Sequence, residues 1–362
     1  MSMPAVHPKP LPIPPLFCPI EPRIHPEADA IEAKATAWWL GGGYTEDATL
    51  LARTAATRSG IYLARCLTDC DTERVETLAC WSYAGFAFDD LYCDHGPLSA
   101  DPAAFLPLAA RTVAALETLD PAVAADLGLV TALQDVTRRY AAHASHAQLA
   151  RWTQAHRRWL SGVAEQIAYR SRRQTPSLDS YLITRLSCVA GEVGWSGIEM
   201  SLGPEVPERC SPVVRALGEL ATIVTMTDNE VFSAAAESQS ADAFDPGLFD
   251  VLAHAHVPAL DRQQALAAGI ALRDRALVRF LRLRARVAPR ASQPLTRYLD
   301  AITQMVRANL DFSLDMLTAR YAAHGVTVPV DRATLFTDQP TDDNAAPPAI
   351  PAIAWLWDDL PW

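Results

Sequence analysis

Residues 229–237, Asn-Glu-Val-Phe-Ser-Ala-Ala-Ala-Glu, follow a long apolar stretch and place Asn229, Ser233 and Glu237 at intervals of four residues. An α-helix turns about 100° per residue, so positions four apart lie about 40° apart around its axis. The three side chains therefore form one stripe over two helical turns. Their amide, hydroxyl and carboxylate oxygens are hard donors, which suit Mg²⁺ and the phosphates it binds.

A second oxygen-rich motif, Asp-Asp-Leu-Tyr-Cys-Asp at residues 89–94, ends an earlier apolar run that also has a helical pattern. Asp90 and Asp94 share a face at the helical spacing, and Asp89 is adjacent. Buried carboxylates are very costly without a counter-charge, so such a cluster requires cations. An acidic triplet alone usually lies exposed on the surface and has no function of its own. Together with the stripe on the second helix, it predicts a site for a metal-bound polyanion.

The composition limits the function. The chain has 362 residues, of which 50% are hydrophobic, and a formal charge of −11, which argues against a nucleic-acid surface. Its seven cysteines form no paired framework and no zinc spacing, which indicates free thiols in a reducing cytoplasm. We find no signal peptide, and no apolar run approaches the ~18 residues of a membrane-spanning helix.

The chain divides by composition into a proline-rich segment at 1–26, a helical domain at 27–325 and a proline- and tryptophan-rich tail at 326–362. We expect one all-α domain, an antiparallel helical bundle around a deep apolar cavity. Helical patterns cover residues 46–67, 73–94, 101–119, 147–172, 177–200, 211–239, 259–287 and 294–323. The tail's tryptophans are predicted to pin it to the body or to a partner chain, with the Asp358-Asp359 pair exposed.

Two further patterns concern single helices. Arg275, Arg279, Arg282 and Arg286 fall on one helical stripe, which we interpret as a solvated face. Three glycines within residues 191–197 cost about 1 kcal/mol each in a helix relative to alanine, so that helix should be broken, kinked or closely packed.

Four motifs in order resemble the class I terpene synthases of the bacterial type. Besides the two acidic motifs, the family has a diphosphate-sensing arginine, matched by Arg185, 44 residues before Asn229, and a terminal Arg-Tyr pair, matched by Arg320-Tyr321. Three positions depart from the family pattern, which usually has Asp, Lys and Gly there: Glu230, Ala236 and Val189.

The resemblance implies a mechanism and a set of residues. Three Mg²⁺ ions would bind the substrate diphosphate, held by Asp89, Asp90, Asp94, Asn229, Ser233 and Glu237. Arg185, Arg320 and Tyr321 would donate hydrogen bonds to the diphosphate. The apolar pocket for the carbocation would include Phe86, Trp195, Phe312 and Val189. A homodimer is possible for such an enzyme.

The expected activity is ionisation and cyclisation of a linear prenyl diphosphate, with farnesyl diphosphate as the first choice of substrate. Alternatives within the class are a C10, a methylated C10 (2-methylisoborneol-type) or a C20 substrate. A chain-elongating prenyltransferase is a competing enzyme, although it normally has two Asp-Asp-x-x-Asp motifs and several diphosphate-binding lysines. The alternative that is not an enzyme is a non-catalytic helical interaction protein.

Overall fold

The computed structural model describes residues 13–237, 244–316 and 334–361, and of residues 234–237 and 316 it describes the backbone alone. The helices of the first half are α1 (Ala28–Gly41), α2 (Ala48–Ala55), α3 (Ser59–Cys66), α4 (Thr72–Phe88), α5 (Pro102–Thr118), α6 (Pro121–Ala124), α7 (Gly128–Ala141) and α8 (His146–Arg172). Those of the second half are α9 (Leu178–Cys188), α10 (Gly191–Leu202), α11 (Pro212–Glu237), α12 (Leu248–Ala255), α13 (Arg262–Val287), α14 (Gln293–Met316) and α15 (Pro351–Ala354).

Helix starts follow from local capping chemistry. Asp71 accepts hydrogen bonds from the backbone of the first turn of α4, and Asp101 does the same for α5, whose first residue is Pro102. Ser145 and Asp261 form capping boxes with the glutamines three residues later and so begin α8 and α13. These side chains satisfy backbone N–H groups that have no partner within the helix.

Two long helical patterns are each split into two helices. The pattern at 46–67 becomes α2 and α3, separated at Arg58, whose φ is 52°. The pattern at 177–200 becomes α9 and α10, separated at Ala190, whose φ is 57°. The predicted break near the glycines therefore exists, and it lies just before Gly191.

The helices pack as a bundle around one hydrophobic core. Helix α11 contacts α13 and α14, α8 contacts α5, α9 and α10, and α4 contacts α1, α3 and α7. The prediction of an all-α fold is confirmed. Within the described residues, no helix combines the length and apolar character needed to cross a bilayer.

The segments at the two ends of the chain meet on the surface of the bundle. Strand β1 (Leu16–Phe17) pairs in parallel with β2 (Phe336–Thr337). Leu16 is fully buried and Phe17 is 6% exposed, so the end of the proline-rich segment belongs to the packed body. The domain boundaries at 26 and 325 stay predictions, because residues 317–333 lie outside the described part.

The tail covers Arg275 and Arg279 of the arginine stripe of α13, so the interpretation of the stripe as a solvated face is wrong for these two, whereas Arg282 and Arg286 are exposed. Arg279 donates to the carbonyls of Leu356 and Asp358 at 2.9 and 2.7 Å. Arg275 lies over the ring of Trp357, 5.9 Å from its centroid. The stripe binds the tail's carbonyls and rings in place of water. The tryptophans therefore pin the tail to the body, and Asp358 and Asp359 are exposed as predicted.

A fully buried charge network joins α11, α13 and both terminal segments. Arg273 of α13 donates to Asp228 of α11 at 2.7 Å, to Asp274 at 2.9 Å and to the carbonyl of Phe17. Asp274 in turn accepts from the backbone and hydroxyl of Thr341 at 2.8 and 2.9 Å. Because Asp228 precedes Asn229, the network fixes α11 at the point where its ligand stripe begins.

Candidate active site

A cavity of about 610 Å³ lies between α4, α8, α9, α10, α11 and α14. On α4 its lining runs from Leu78 through Phe86 to Asp89, a distance of about 16 Å at 1.5 Å per residue. Carboxylates lie at the carboxyl end of α4, whereas aromatic and apolar groups line the preceding turns. The cavity therefore has one polar end and one apolar end, as a site for an amphiphilic anion requires.

The aspartate motif lies on a π-helical turn, Asp89–Asp94, that directly continues α4. The helical spacing had paired Asp90 with Asp94, and the structure places Asp89 at the cavity with both of them. Burial, and then the charges of Asp94 and Asp90, raise the pKa of Asp89 well above its usual value. Three carboxylates at one cavity end therefore repel each other when ionised.

Two arginines partly offset this repulsion. Arg53 of α2 lies 2.8 Å from Asp90, which is 5% exposed. Arg170 of α8 lies 3.8 Å from Asp94 and 2.6 Å from Asp245. Burial raises the pKa of Asp94, and the positive charge of Arg170 opposes that shift.

Sequence reasoning missed Arg170. Besides its two carboxylates, it donates to the carbonyls of Cys93 and Ser99 at 2.6 and 2.9 Å. It thereby connects the aspartate turn with the segment that follows α11. No signal in its surroundings, within an arginine-rich helix end, distinguished it from its neighbours.

On α11, Asn229 and Ser233 line the same cavity, across from the aspartates. Glu237 is the last residue of the helix, and its side chain is not described. Arg320 and Tyr321 lie outside the described residues, so their predicted contacts with a diphosphate stay predictions.

The donor set fits a hard divalent cation in its chemistry, because carboxylate, amide and hydroxyl oxygens face one cavity and the carboxylates repel each other. In the part of the chain that the structure describes, no three carboxylate, imidazole or thiol groups converge into a formed metal cluster. The two arginine pairs hold Asp90 and Asp94 in this structure. A cation would have to compete with them.

Arg185 of α9 lies at the polar end, paired with Glu230. Its Nη2 is 2.9 Å from Glu230 Oε1, which also accepts from the Tyr181 hydroxyl at 3.0 Å. Glu230 Oε2 accepts from the backbone N–H of Leu248 at 3.1 Å, at the start of α12. Burial disfavours the charged guanidinium, but the Glu230 carboxylate outweighs it and the pKa of Arg185 is raised. Sequence reasoning had given Glu230 no role.

Two aromatic walls enclose the apolar end. Phe86 of α4 stacks on Phe312 of α14 at 5.9 Å between centroids, and Tyr62 of α3 contacts Phe312 at 4.9 Å. On the other wall, Trp81 of α4 lies edge-on to Trp159 of α8 at 6.3 Å. All five rings line the cavity.

Val189 lines the cavity beside the break between α9 and α10, whereas Trp195 is placed elsewhere, which corrects the prediction for that residue. The indole ring of Trp195 packs against Gly218 of α11. A Cβ atom at Gly218 would lie only 2.8 Å from that ring. The missing side chain at Gly218 makes room for the indole, so Trp195 fills the core between α10 and α11.

Comparisons with known proteins agree with this geometry. Residues 80–277, more than half of the chain, match the family model described as terpene synthase family 2, C-terminal metal binding. The chain belongs to this family. It is therefore a class I terpene synthase, a lyase that cyclises prenyl diphosphates.

Individual relatives cover nearly the whole chain. Spiroviolene synthase of Streptomyces violens is 36% identical over 96% of this chain and 97% of its own. The farnesyl diphosphate-cyclizing (+)-T-muurolol synthase of Streptomyces clavuligerus is 31% identical over 94% and 81%, respectively. The crystal structure of the reconstructed ancestral protein SVS_A2 superimposes with a TM-score of 0.84, at 36% identity, over 96% of this chain and 99% of that chain.

Proposed function

We propose that this terpene cyclase uses Mg²⁺ to ionise a linear prenyl diphosphate, with farnesyl diphosphate as the expected substrate, and folds the resulting carbocation in its cavity. The observation that carries the proposal is the single cavity with oxygen donors from α4 and α11 at one end and aromatic rings at the other. A prenyl diphosphate has the same division into a charged head and an apolar chain.

The proposed ligands of three Mg²⁺ ions are Asp89, Asp90, Asp94, Asn229, Ser233 and Glu237. When bound, the ions would neutralise charge on the departing diphosphate and so favour breaking of the C–O bond. The chain's own part is to present these oxygens from two helices held in place by the core.

Arg185 is proposed to donate to the diphosphate oxygens, together with Arg320 and Tyr321. In the structure Arg185 is held by Glu230, and its Nε has no hydrogen-bond partner among the described residues. A diphosphate that enters the polar end would therefore compete with one carboxylate for this guanidinium. The exchange replaces a single-charged partner by a more highly charged one, which favours the substrate.

The apolar end is proposed to protect the allylic cation. Trp81, Trp159 and Phe86 supply ring faces, which attract cations. Exclusion of water from this end would prevent premature capture of the cation.

The volume of the cavity limits the length of the prenyl chain but does not select one length. Taking about 30 Å³ for a carbon with its hydrogens, as for a water molecule in the liquid, a C15 chain needs roughly 450 Å³ and a C20 chain roughly 600 Å³. The cavity of about 610 Å³ includes the polar end, so it holds a C15 chain with room for the diphosphate, whereas a C20 chain alone would fill it. Geranylgeranyl diphosphate is therefore the second candidate.

The test is incubation of the purified protein and Mg²⁺ with C10, methylated C10, C15 and C20 diphosphates, each with and without isopentenyl diphosphate, with products identified by mass spectrometry. We expect a cyclic hydrocarbon or alcohol from the C15 substrate, and none from Asn229→Leu. Asn344→Leu, an exposed tail position, is the matched control. A longer prenyl diphosphate as product would indicate a prenyltransferase, and no turnover of any substrate would indicate a non-catalytic protein. The homodimer and the cytoplasmic location stay predictions.

A further inference from the structure

A buried histidine stands directly behind one ring of the cavity wall. Trp81 lines the cavity, and its indole Nε1 lies 2.9 Å from Nε2 of His156 on α8. His156 is fully buried, and the rings of Trp152 and Trp159 flank it at 4.5 and 6.0 Å. The histidine itself does not line the cavity, so it belongs to the layer behind the wall.

The contacts define the protonation state of this histidine. An indole N–H can only donate, so Nε2 of His156 must be the acceptor. The proton of the neutral ring is then on Nδ1, which lies 2.8 Å from the carbonyl of Trp152 and donates to it. Both nitrogens are satisfied, and neither is free for proton transfer to a substrate. Burial lowers the pKa of His156 to about 4, which keeps this neutral form at physiological pH.

The hydrogen bond also sets what Trp81 presents to the cavity. Its one polar group is taken up by His156 on α8, so the carbon skeleton of the ring is left for the substrate. The rings of Trp152 and Trp159 pack edge-on against the indole, at 5.9 and 6.3 Å between centroids. Gly85, one turn later in α4, carries no side chain, and a Cβ built on it would make ordinary van der Waals contact with the six-membered ring at 3.6 Å. Apolar contacts have no preferred direction, so the bond to His156 is the directional contact that selects the orientation of the indole.

We propose that His156 is a positioning residue that fixes the indole of Trp81 against the cavity and thereby determines which products the carbocation gives. The proposal rests on the proposed cyclase activity, and it concerns the steps after ionisation. Without the acceptor, the Trp81 N–H loses its partner inside the protein, which is costly, and the ring turns to find another. The cation then loses part of its π-face, and proton loss or capture by water ends more reactions early.

The first test is spectroscopic and needs no turnover. Protein labelled with ¹⁵N-tryptophan has nine indole N–H groups, and Trp81→Phe identifies the signal of Trp81. We expect that signal to exchange slowly with solvent in the wild type, to stay protected in His156→Gln, whose amide oxygen can accept, and to lose protection in His156→Leu. A signal that exchanges equally in the wild type and in His156→Leu would overturn the proposal.

The second test is the product distribution, with diphosphate release measured in parallel. His156→Leu should release diphosphate within about threefold of the wild-type rate and raise the share of linear and alcohol products severalfold, whereas His156→Gln should resemble the wild type. In the Trp81→Phe background, which has no indole N–H, His156→Leu should cause no further change. An equal shift in both backgrounds, or unchanged products from folded His156→Leu, would refute the positioning role. Absence of diphosphate release from the wild type would instead refute the proposed activity. If His156→Leu does not fold, His156→Val, which also lacks an acceptor, replaces it in both backgrounds with the same expected and refuting results.

Discussion

The buried pair of Arg273 and Asp228 gives the sharpest stability prediction. Both side chains are fully buried, at 2.7 Å from each other. Replacing Arg273 with Met leaves the carboxyls of Asp228 and Asp274 in the core without their counter-charge and removes the donor to the Phe17 carbonyl. Breaking a buried pair by removing one partner costs about 3–5 kcal/mol. We therefore expect Arg273→Met to lose about 4 kcal/mol of unfolding free energy at pH 7.

The assay is thermal and urea unfolding followed by circular dichroism. An unfolding entropy of about 2.1 cal/mol/K per residue gives roughly 0.75 kcal/mol/K for this chain, so a loss of 4 kcal/mol lowers Tm by about 5 °C. The control is the double variant Asp228→Asn/Arg273→Met, which removes one of the two carboxyls that lose their counter-charge and leaves Asp274 with its hydrogen bonds from Thr341. It should recover at least half of the lost free energy.

The outcome also bears on the active site. Asp228 is adjacent to Asn229, so the single variant should weaken binding of Mg²⁺ and diphosphate more than its loss of stability explains. A single variant within about 1 kcal/mol of the wild type would refute the reasoning, and so would a double variant as unstable as the single one.

Three other predictions concern the cavity and the layer behind it. Replacing Glu230 with Gln frees Arg185 from its carboxylate, so inorganic diphosphate with Mg²⁺ should bind about tenfold tighter by calorimetry, a change of about 1.4 kcal/mol; Glu165→Gln is the control, and weaker binding would contradict the competition. Because burial lowers the pKa of His156 from 6.5 to about 4, its neutral form stabilises the fold above pH 6.5 and that stability is lost as the pH falls towards 4. Between pH 7 and pH 5 the wild type should lose about 2 kcal/mol more unfolding free energy than His156→Gln, and parallel pH profiles would argue against this. Gly194 lines the cavity with no atom closer than 4.0 Å to a built Cβ, so Gly194→Leu should fill space without a clash and lower the ratio of C20 to C15 turnover; an unchanged ratio would show that this wall does not limit chain length.

The helical fold could be predicted because its signals are local. Asp101-Pro102 and the capping glutamine partners of Ser145 and Asp261 mark helix starts in the sequence itself. The separation at Arg58 could not be predicted, because an arginine with positive φ has no signature and is tolerated only when tertiary contacts hold it there.

The ligand stripe of α11 could also be predicted, because the spacing of Asn229 and Ser233 decides that both side chains point the same way. The π-helical turn at Asp89–Asp94 could not be predicted, because the spacing indicated an α-helix there. Partners distant in sequence were also missed. The contacts of Arg170, the pairing of Glu230 with Arg185 and the burial of Trp195 against Gly218 depend on which helices pack together, and one helix's pattern does not contain that information.

The arginine stripe of α13 shows the limit of composition. Arg275 and Arg279 on one face have the pattern of a solvated surface, and the structure places the chain's own tail on them. Carbonyls and indole rings satisfy guanidinium groups as water does, so the residues alone do not distinguish the two cases.

The central claim is that Asp89, on the π-helical turn after α4, and Asn229 on α11 together hold a metal-bound diphosphate at the polar end of the cavity. Calorimetric titration of the wild type with inorganic diphosphate, with Mg²⁺ and with EDTA, tests it most directly, alongside Asp89→Asn and Asn229→Leu. We expect binding that requires Mg²⁺ and that each substitution weakens at least tenfold. Binding that is equally strong with EDTA, or unaffected by either substitution, would contradict the claim.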